Sequence, residues 1–280
     1  MGDEVKGFEI GERVGYATFS GACEKPTCYG CANDRNDWCP NFVGAYNPTW
    51  GGWCTSLQNR YDYYYKIPEN LSDEHAAPLM CAGMTLYCPL RDHGFPGAKV
   101  GVVGIGGLGH LGIKYAAHMG MHVTAFSTTD SKKEECISYG AEYFINIKDT
   151  KQCSSVRESF DMILVSATKY DISQLLGMTK PGGKLILLGA PDVSDNINFN
   201  FFDLIWGNKT VAGSIVGPRQ FYPDMLAMSA NLNIVPTIET IPFDVESANA
   251  NFTRLAKGEP TLPRYRLVFD VSGYGFNPAN

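Results

Sequence analysis

Short apolar runs in the middle of the chain alternate with segments in which apolar residues recur at helical spacing. The runs predict six strands, at 100–103, 122–126, 143–145, 162–165, 184–189 and 210–213. The helical spacing predicts helices that begin at 108 and that span 131–139, 172–178, 202–206 and 219–230. Apolar strands that alternate with helices are typical of a parallel sheet covered on both faces. The pattern therefore predicts an α/β fold with a doubly wound parallel sheet.

The two ends of the chain have a different character. Residues before Leu79 are rich in Gly, Tyr, Trp and Cys and show little helical periodicity, and strand-like runs return after Pro236. We therefore expect one β-rich domain that is built from both ends of the chain, with the sheet domain inserted into it. The predicted boundaries are 1–81 and 235–280 for the β-rich domain and 82–234 for the sheet domain.

Composition narrows the possible partners. The chain has 280 residues, a formal net charge of −6 and 44% hydrophobic residues. An acidic balance argues against binding to nucleic acid or to anionic membranes. No apolar run is long enough for a membrane span, and the acidic start Met1-Gly2-Asp3-Glu4 is unlike a signal peptide. We expect no membrane insertion and a cytoplasmic location.

The first predicted strand runs into a glycine-rich segment at 104–109, which we call the glycine turn. Its pattern is Gly104-x-Gly106-x-x-Gly109, and a helix follows directly. A strand, a glycine turn and a helix N-terminus together present backbone N–H groups to a pyrophosphate. A purely structural turn is the alternative. The context favours a dinucleotide site that is made by the residues Gly104, Gly106, Gly107, Leu108 and Gly109.

The end of the second predicted strand indicates which dinucleotide binds. NAD-binding folds have an acidic residue there, whereas this strand ends in Ser127, Thr128 and Thr129, followed by Lys132. Hydroxyl and ammonium groups suit a 2′-phosphate, which favours NADP(H) over NAD(H). The alternative is that these residues form only a helix cap and a solvated lysine pair.

Four of the nine cysteines lie in one short segment, at positions 23, 28, 31 and 39. We call residues 23–39 the cysteine lobe. Cys23, Cys28, Cys31 and Cys39 can bind zinc through four thiolates, which leaves no open coordination position and makes such a site structural. An iron–sulfur cluster and four unliganded cysteines are the alternatives, and structural zinc is favoured because the spacing resembles no ferredoxin pattern.

Motifs spread over nearly the whole chain resemble the zinc-containing medium-chain alcohol dehydrogenases, most closely the cinnamyl alcohol dehydrogenase-like branch. Besides the glycine turn, the cysteine lobe and Ser127 to Lys133, they are Phe8-Glu-Ile-Gly-Glu-Arg-Val, Gly51-Gly52, Lys66-Ile-Pro-Glu-Asn-Leu, Ala76-Ala-Pro-Leu-Met-Cys-Ala-Gly-Met-Thr-Leu-Tyr, Gly183-Lys-Leu-Ile-Leu-Leu-Gly and Arg264-Tyr-Arg-Leu-Val-Phe-Asp-Val. The resemblance implies a Rossmann domain inserted in a partial GroES-like catalytic domain with a zinc lobe. It also implies homodimers joined along the Rossmann sheet, and interconversion of aldehydes and alcohols with NADP(H).

The resemblance also assigns metal ligands. The four lobe cysteines match the family's structural zinc, although the Cys23–Cys28 gap is longer than the usual CxxC. Cys81 matches one ligand of the catalytic zinc. The other two family ligands, a cysteine and a histidine, precede the segment with which this chain begins, and neither Cys54 nor any of the five histidines is a persuasive substitute.

A catalytic zinc needs three protein ligands and an open position. We therefore expect an NADP(H)-dependent aldehyde reductase by family that is inactive as this chain alone. The competing interpretation is a non-catalytic NADP-binding or structural subunit of a larger assembly. A zinc-free quinone reductase is disfavoured because such enzymes lack the four-cysteine lobe.

Overall fold

The computed structural model describes residues 2–45, 51–54, 56–191, 199–257 and 265–274. They fall into two compact units. The sheet unit is Thr85–Ile215, and the flanking unit combines Met1–Met84 with Val216–Asn280. Part of the predicted return segment 235–280, at 258–264 and 275–280, lies outside the described residues.

The described residues form twelve strands and ten α-helices. The strands are β1 (Val14–Tyr16), β2 (Phe19–Gly21), β3 (Val43–Gly44), β4 (Tyr64–Lys66), β5 (Lys99–Val103), β6 (His122–Ser127), β7 (Tyr143–Asn146), β8 (Phe160–Val165), β9 (Thr179–Leu187), β10 (Thr210–Gly213), β11 (Ile238–Pro242) and β12 (Arg266–Asp270). The α-helices are α1 (Tyr29–Ala32), α2 (Asp73–Pro78), α3 (Met84–His93), α4 (Gly109–His118), α5 (Lys133–Ser138), α6 (Thr150–Ser155), α7 (Ile172–Met178), α8 (Phe202–Ile205), α9 (Tyr222–Asn231) and α10 (Val245–Lys257).

The sheet unit contains one six-stranded sheet in the order β10-β9-β8-β5-β6-β7. Every neighbouring pair in it is parallel. The order reverses direction beside β5, and ligands of open parallel sheets bind at such a switch point, at the carboxyl ends of the strands. The glycine turn follows β5 there. The predicted α/β fold with a doubly wound parallel sheet is confirmed.

Apolar residues of the central strands fill the core of the sheet unit. Ile163 of β8, Leu175 of α7 and Leu185 of β9 are fully buried and belong to one hydrophobic cluster. Gly101 allows close packing, because a Cβ there would lie 3.1 Å from the ring of Phe126. The apolar runs of the sequence therefore correspond to strands that are covered on both faces.

The structure corrects the start of the fifth strand. The expected fifth strand begins at Lys184 after a Pro181-Gly182-Gly183 turn, whereas β9 begins at Thr179. The residues in between form a bulge, since Phe160 pairs with Thr179 and Met162 already pairs with Lys184. Gly182 has a φ of +74°, and its N–H donates to the Gly207 carbonyl at 2.6 Å. A bulge lets this proline and glycine segment interrupt the ladder without ending the strand.

The flanking unit contains three two-stranded sheets, which are β1-β4, β2-β3 and β11-β12. The first two are antiparallel and the third is parallel. Tyr65 of β4 stacks on Tyr222 of α9, with ring centroids 4.5 Å apart. Within the described part of the chain, no helix combines the length and the apolar character needed to cross a membrane.

Candidate metal and cofactor sites

The cysteine lobe brings its four sulfur atoms together. The Sγ atoms of Cys23, Cys28, Cys31 and Cys39 all lie within 4.8 Å of one another. Cys28 precedes the first residue of α1, Cys31 lies within that helix, and Cys39 follows a 3₁₀ turn at Asn36–Trp38. Zinc–sulfur bonds of about 2.3 Å place the corners of a tetrahedron roughly 3.8 Å apart. The Cys23 and Cys31 sulfurs lie 3.8 Å apart, so the donor set fits a tetrahedral zinc ion.

The long gap between Cys23 and Cys28 is taken up by a tight turn. Glu24 adopts a left-handed conformation with a φ of +51°. The Cys28 N–H then donates to the Lys25 carbonyl at 3.0 Å. The chain reverses within these residues, and the Cys23 sulfur reaches the other three despite the extra spacing.

The thiols of the lobe differ in acidity. Burial opposes ionisation of Cys39, but hydrogen bonds from the backbone N–H groups of Cys23 and Asn41 outweigh it and lower the pKa of Cys39 to about 7. Burial raises the pKa of Cys31 to about 12, helped by its hydrogen bond with Cys39. Because zinc binds cysteine as the thiolate, a bound Zn²⁺ would favour the ionised form of all four thiols.

Ion pairs and hydrogen bonds connect the lobe to the rest of the flanking unit. Arg219 pairs with Glu24 at 3.1 Å and with Asp62 at 2.6 Å. Arg60 pairs with the same two carboxylates, each at 2.7 Å. The Nδ2 atom of buried Asn36 donates to the Tyr63 hydroxyl at 3.3 Å. The position of the lobe is thus set by ion pairs and hydrogen bonds as well as by its sulfur atoms.

The glycine turn has a different steric requirement at each of its three motif positions. Gly104 has a φ of +89°, and a Cβ there would lie 2.6 Å from the Ala167 nitrogen. A Cβ at Gly109 would lie 2.2 Å from the Gly104 carbonyl oxygen. At Gly106 no protein atom lies within 4 Å of a Cβ, so this glycine leaves an open space beside the turn. The first and third glycines are required by the fold, whereas the second is not.

The residues after β6 lie beside the glycine turn. The Thr129 N–H donates to Oγ of buried Ser127 at 3.4 Å, and the Thr129 hydroxyl contacts Ser131 at 3.1 Å. Lys132 Nζ donates to the Ile105 carbonyl at 2.5 Å. The structure therefore brings together two of the predicted sets, the glycine turn and the Ser127 to Lys132 segment, on one side of the sheet unit.

A residue outside the predicted site also contacts the glycine turn. His110 is fully buried, and its Nδ1 lies 2.9 Å from the Gly106 carbonyl oxygen. The spacing of four residues from Gly106 to His110 at a helix start was the signal that could have revealed this contact, because residues i and i+4 are adjacent on a helix.

Cys81 lies apart from the cysteine lobe. It is exposed, and it belongs to a π-helical turn at Leu79–Gly83 in the flanking unit. A cavity of about 670 Å³ in that unit is lined by Cys81 together with Cys54, Trp53 and Arg266. Burial lowers the pKa of Arg266, and the nearby Cys81 works in the opposite direction. Among the described residues, the four lobe cysteines are the one group of three or more metal-binding side chains within reach of a shared ion, and Cys81 is not part of it.

Comparison with known families and proteins adds an independent line of evidence. Residues 107–231 match the family model described as "Zinc-binding dehydrogenase". Cinnamyl alcohol dehydrogenase 7 from Arabidopsis thaliana is 37% identical over 284 residues, a match that covers 97% of this chain and 77% of the relative. Vomilenine reductase from Rauvolfia serpentina is 36% identical over 283 residues, with 97% and 76% covered.

The fold has close counterparts among solved structures. The crystal structure of CAD from Helicobacter pylori complexed with NADP(H) superposes with a TM-score of 0.83 at 31% identity. The superposition covers 96% of this chain and 77% of that one. The likeness thus extends over both units as well as over the residues that match the family model.

Proposed function

Since the chain belongs to the zinc-containing medium-chain alcohol dehydrogenases, in their cinnamyl alcohol dehydrogenase-like branch, we propose that it binds NADP(H) and serves the interconversion of alcohols and aldehydes. The observation that carries the proposal is the open space at Gly106, at the switch point of a parallel sheet and the start of a ten-residue helix. Nothing in the fold requires a glycine there, whereas a pyrophosphate that approaches the backbone does.

The cofactor would be held by two segments of the sheet unit. Backbone N–H groups of the glycine turn, at Gly107, Leu108 and Gly109, would bind the pyrophosphate. Gly106, whose own N–H donates to the Gly104 carbonyl at 3.1 Å, would let the phosphates approach the backbone. Ser127, Thr128 and Thr129 would hydrogen-bond the 2′-phosphate. Lys132 has three N–H donors, so it can keep its bond to the Ile105 carbonyl and still pair with that phosphate. The H. pylori relative, solved with NADP(H), supports this choice of cofactor.

The cysteine lobe would hold a structural zinc through Cys23, Cys28, Cys31 and Cys39. The sulfur separations support this assignment, and four sulfur ligands leave no coordination position for a substrate. Four thiols that must stay reduced suit the cytoplasm, which supports a cytoplasmic location.

The chemistry divides between the cofactor and the chain. When bound, NADP(H) supplies or accepts the hydride, and a catalytic zinc polarises the substrate oxygen. The chain's own part is to fix the pyrophosphate at the glycine turn and the 2′-phosphate at Ser127 to Lys132, and so to orient the nicotinamide. Cys81 would supply one thiolate ligand on the wall of its cavity.

For residues 1–280 by themselves we propose cofactor binding without turnover. Cys81 is the one matched ligand of a catalytic zinc, and a zinc held by one thiolate would not stay in place. Residues from outside this sequence would have to complete the site. The second candidate function is a non-catalytic NADP-binding subunit, and the observation that favours it is that, among the described residues, Cys81 belongs to no group of three or more metal-binding side chains.

Zinc per chain and NADPH affinity test the proposal together. We expect one zinc per chain, NADPH binding, and no reduction of cinnamaldehyde by the purified 280-residue chain. Two zinc ions with turnover at ordinary enzymatic rates would overturn the proposed inactivity. Absence of NADPH binding would overturn the proposed function itself.

A pair of glycine variants tests the cofactor site. Gly106→Ala is expected to weaken NADPH binding about tenfold or more without loss of stability, because its methyl group would occupy the phosphate position. Gly177→Ala, in α7, is the matched control, since a Cβ there also meets no atom within 4 Å. Equal NADPH affinity in both variants would contradict the assignment.

A homodimer joined through the sheet unit is the proposed assembly. β10 lies at the edge of the sheet. In the neighbouring segment Phe202, Ile205 and Trp206 expose 46%, 56% and 73% of their surface, which is unusual for side chains so apolar. Mass measurement in solution tests this, and Trp206→Asp is expected to give monomers.

A further inference from the structure

The Gly106–Gly107 peptide is a point of the glycine turn at which the backbone could change its orientation. It has a glycine on each side, and glycine accepts backbone conformations that are closed to other residues. A flip of this peptide would exchange the directions of its carbonyl and its N–H, because the two point to opposite sides of a planar trans peptide. A pyrophosphate site that uses the Gly107 N–H requires one of these two orientations.

His110 holds the carbonyl of that peptide. Its Nδ1 lies 2.9 Å from the Gly106 oxygen, and its backbone N–H donates to the same oxygen at 3.2 Å. A carbonyl only accepts, so Nδ1 carries the proton in this contact. The carbonyl is thereby fixed toward the start of α4, and the Gly107 N–H is directed to the opposite side.

The imidazole itself has little freedom. His110 has no exposed surface, and its ring lies 5.9 Å from the ring of Tyr139. The Tyr139 hydroxyl donates to Glu135 at 2.9 Å, and Lys114 Nζ lies 4.5 Å from the centre of the Tyr139 ring. A side chain held by this packing can impose its orientation on a flexible peptide, whereas an exposed one would follow the peptide.

We propose that His110 is a positioning residue for the dinucleotide, which locks the Gly106–Gly107 peptide in the orientation that binds the pyrophosphate. The inference rests on the proposed binding of NADP(H). It assigns His110 no contact with the cofactor. Its effect is expected on the pyrophosphate and not on the 2′-phosphate, which the proposed Ser127 to Lys132 segment would hold.

Two probes separate these effects. NADPH contains both groups, whereas adenosine 2′-monophosphate contains the 2′-phosphate and no pyrophosphate. His110→Leu removes the side-chain donor, and we expect it to weaken NADPH binding about threefold to tenfold, the usual range for one hydrogen bond. Binding of adenosine 2′-monophosphate is expected to stay unchanged. His110→Asn is expected to restore NADPH affinity, because Asn251 in this chain makes the same bond from its Nδ2 to the carbonyl four residues earlier, at 2.8 Å.

The chain offers a matched control on the same helix. Nδ1 of exposed His118 bonds the Lys114 carbonyl four residues earlier, at 2.8 Å and away from the glycine turn. His118→Leu therefore removes an equivalent bond and is expected to leave both affinities unchanged.

Three results would overturn the inference. They are NADPH affinity unchanged in His110→Leu, equal loss in the Leu and Asn variants, and equal loss in His110→Leu and His118→Leu. If His110→Leu also loses adenosine 2′-monophosphate binding, the two affinities are compared in His110→Ala instead, because that variant adds no apolar branch beside Tyr139. Failure of the unmodified chain to bind NADPH would reject the proposed function instead.

Discussion

The sheet of residues 99–213 and the cysteine lobe of residues 23–39 bury very different side chains. In the sheet unit the innermost residues are apolar, as at Ile163, Leu175 and Leu185. In the lobe they are Asn36, Asp37 and Cys39, which are polar, charged and metal-binding. Apolar burial acts without direction and depends on area, whereas ion pairs and sulfur ligands act only at a defined geometry. The two regions should therefore respond to different perturbations.

Chelation is expected to give the largest difference between the two regions. A strong chelator under reducing conditions should speed hydrogen exchange of the amides in 28–39 about a hundredfold or more, because a structural zinc contributes roughly 10 kcal/mol. Amides in β5 should keep their protection. Cys31→Ser is expected to behave like the chelated chain, and Cys54→Ser, outside the cluster, like the unmodified one. If the chelator leaves hydrogen exchange in the lobe unchanged, zinc does not stabilise the lobe.

A truncation in the apolar core should destabilise the sheet unit and leave the cysteine lobe unaffected. Ile163→Ala removes a fully buried side chain of β8 and is expected to lower the free energy of unfolding of the sheet unit by about 2–5 kcal/mol. Urea unfolding measures this loss, and zinc content should not change. Ile137→Ala is the control, since that side chain is 44% exposed and its loss should cost less than about 1 kcal/mol. Similar losses of unfolding free energy in the two variants would mean that burial in the sheet core is not the main source of the stability of the sheet unit.

Two tyrosines, one in β4 and one in the turn before it, test the effect of buried hydroxyl groups on stability, and the expected changes are smaller. The Tyr65 hydroxyl is buried, and among the described residues it has no hydrogen-bond partner. Tyr65→Phe is expected to raise the free energy of unfolding by about 1 kcal/mol, because it removes an unsatisfied polar group. Tyr63→Phe should lower it by a similar amount, because Asn36 would lose its acceptor. Thermal unfolding of both variants tests the pair, and a loss of stability in Tyr65→Phe would be the contrary result.

The ion pairs of the lobe should show the smallest effect. Arg219→Ala removes contacts with Glu24 and Asp62, but these side chains are about a third exposed. We expect a loss below about 1 kcal/mol that shrinks as salt is added. A loss of several kcal/mol that is insensitive to salt would show that these ion pairs stabilise the lobe to an extent comparable with sulfur ligands of zinc.

The sheet unit was predicted from sequence more completely than the flanking unit. Its apolar runs are continuous, and the helix predicted at 172–178 is α7 with the same bounds. The helix predicted at 131–139 is a 3₁₀ turn at Asp130–Lys132 followed by α5. Periodicity works here because strands that are buried on both faces leave an unbroken signal.

The longest helix, α10, lies where the sequence predicts strand-like runs after Pro236, so that expectation is wrong for Val245–Lys257. Three other helices that prediction missed have physical reasons for being missed. α2 ends at Pro78 and α3 contains Pro89, and proline is normally evidence against a helix. α6 has six residues, too few for periodicity to appear. In the candidate site, sequence reasoning selected residues that carry a motif, whereas His110 contacts a backbone carbonyl and belongs to no such motif.

The left-handed turn at Glu24 has a consequence for how this lobe can change over evolution. The turn takes up the residues between Cys23 and Cys28 without moving the sulfur atoms apart. Insertions and deletions at the entrance of the lobe can therefore be absorbed by the loop, whereas Gly30 permits no side chain, since a Cβ there would lie 2.7 Å from the Arg35 carbonyl oxygen. Searches for such lobes should fix the positions around Gly30 and leave the first spacing free, because metal binding depends on where the sulfurs meet and not on how many residues separate them.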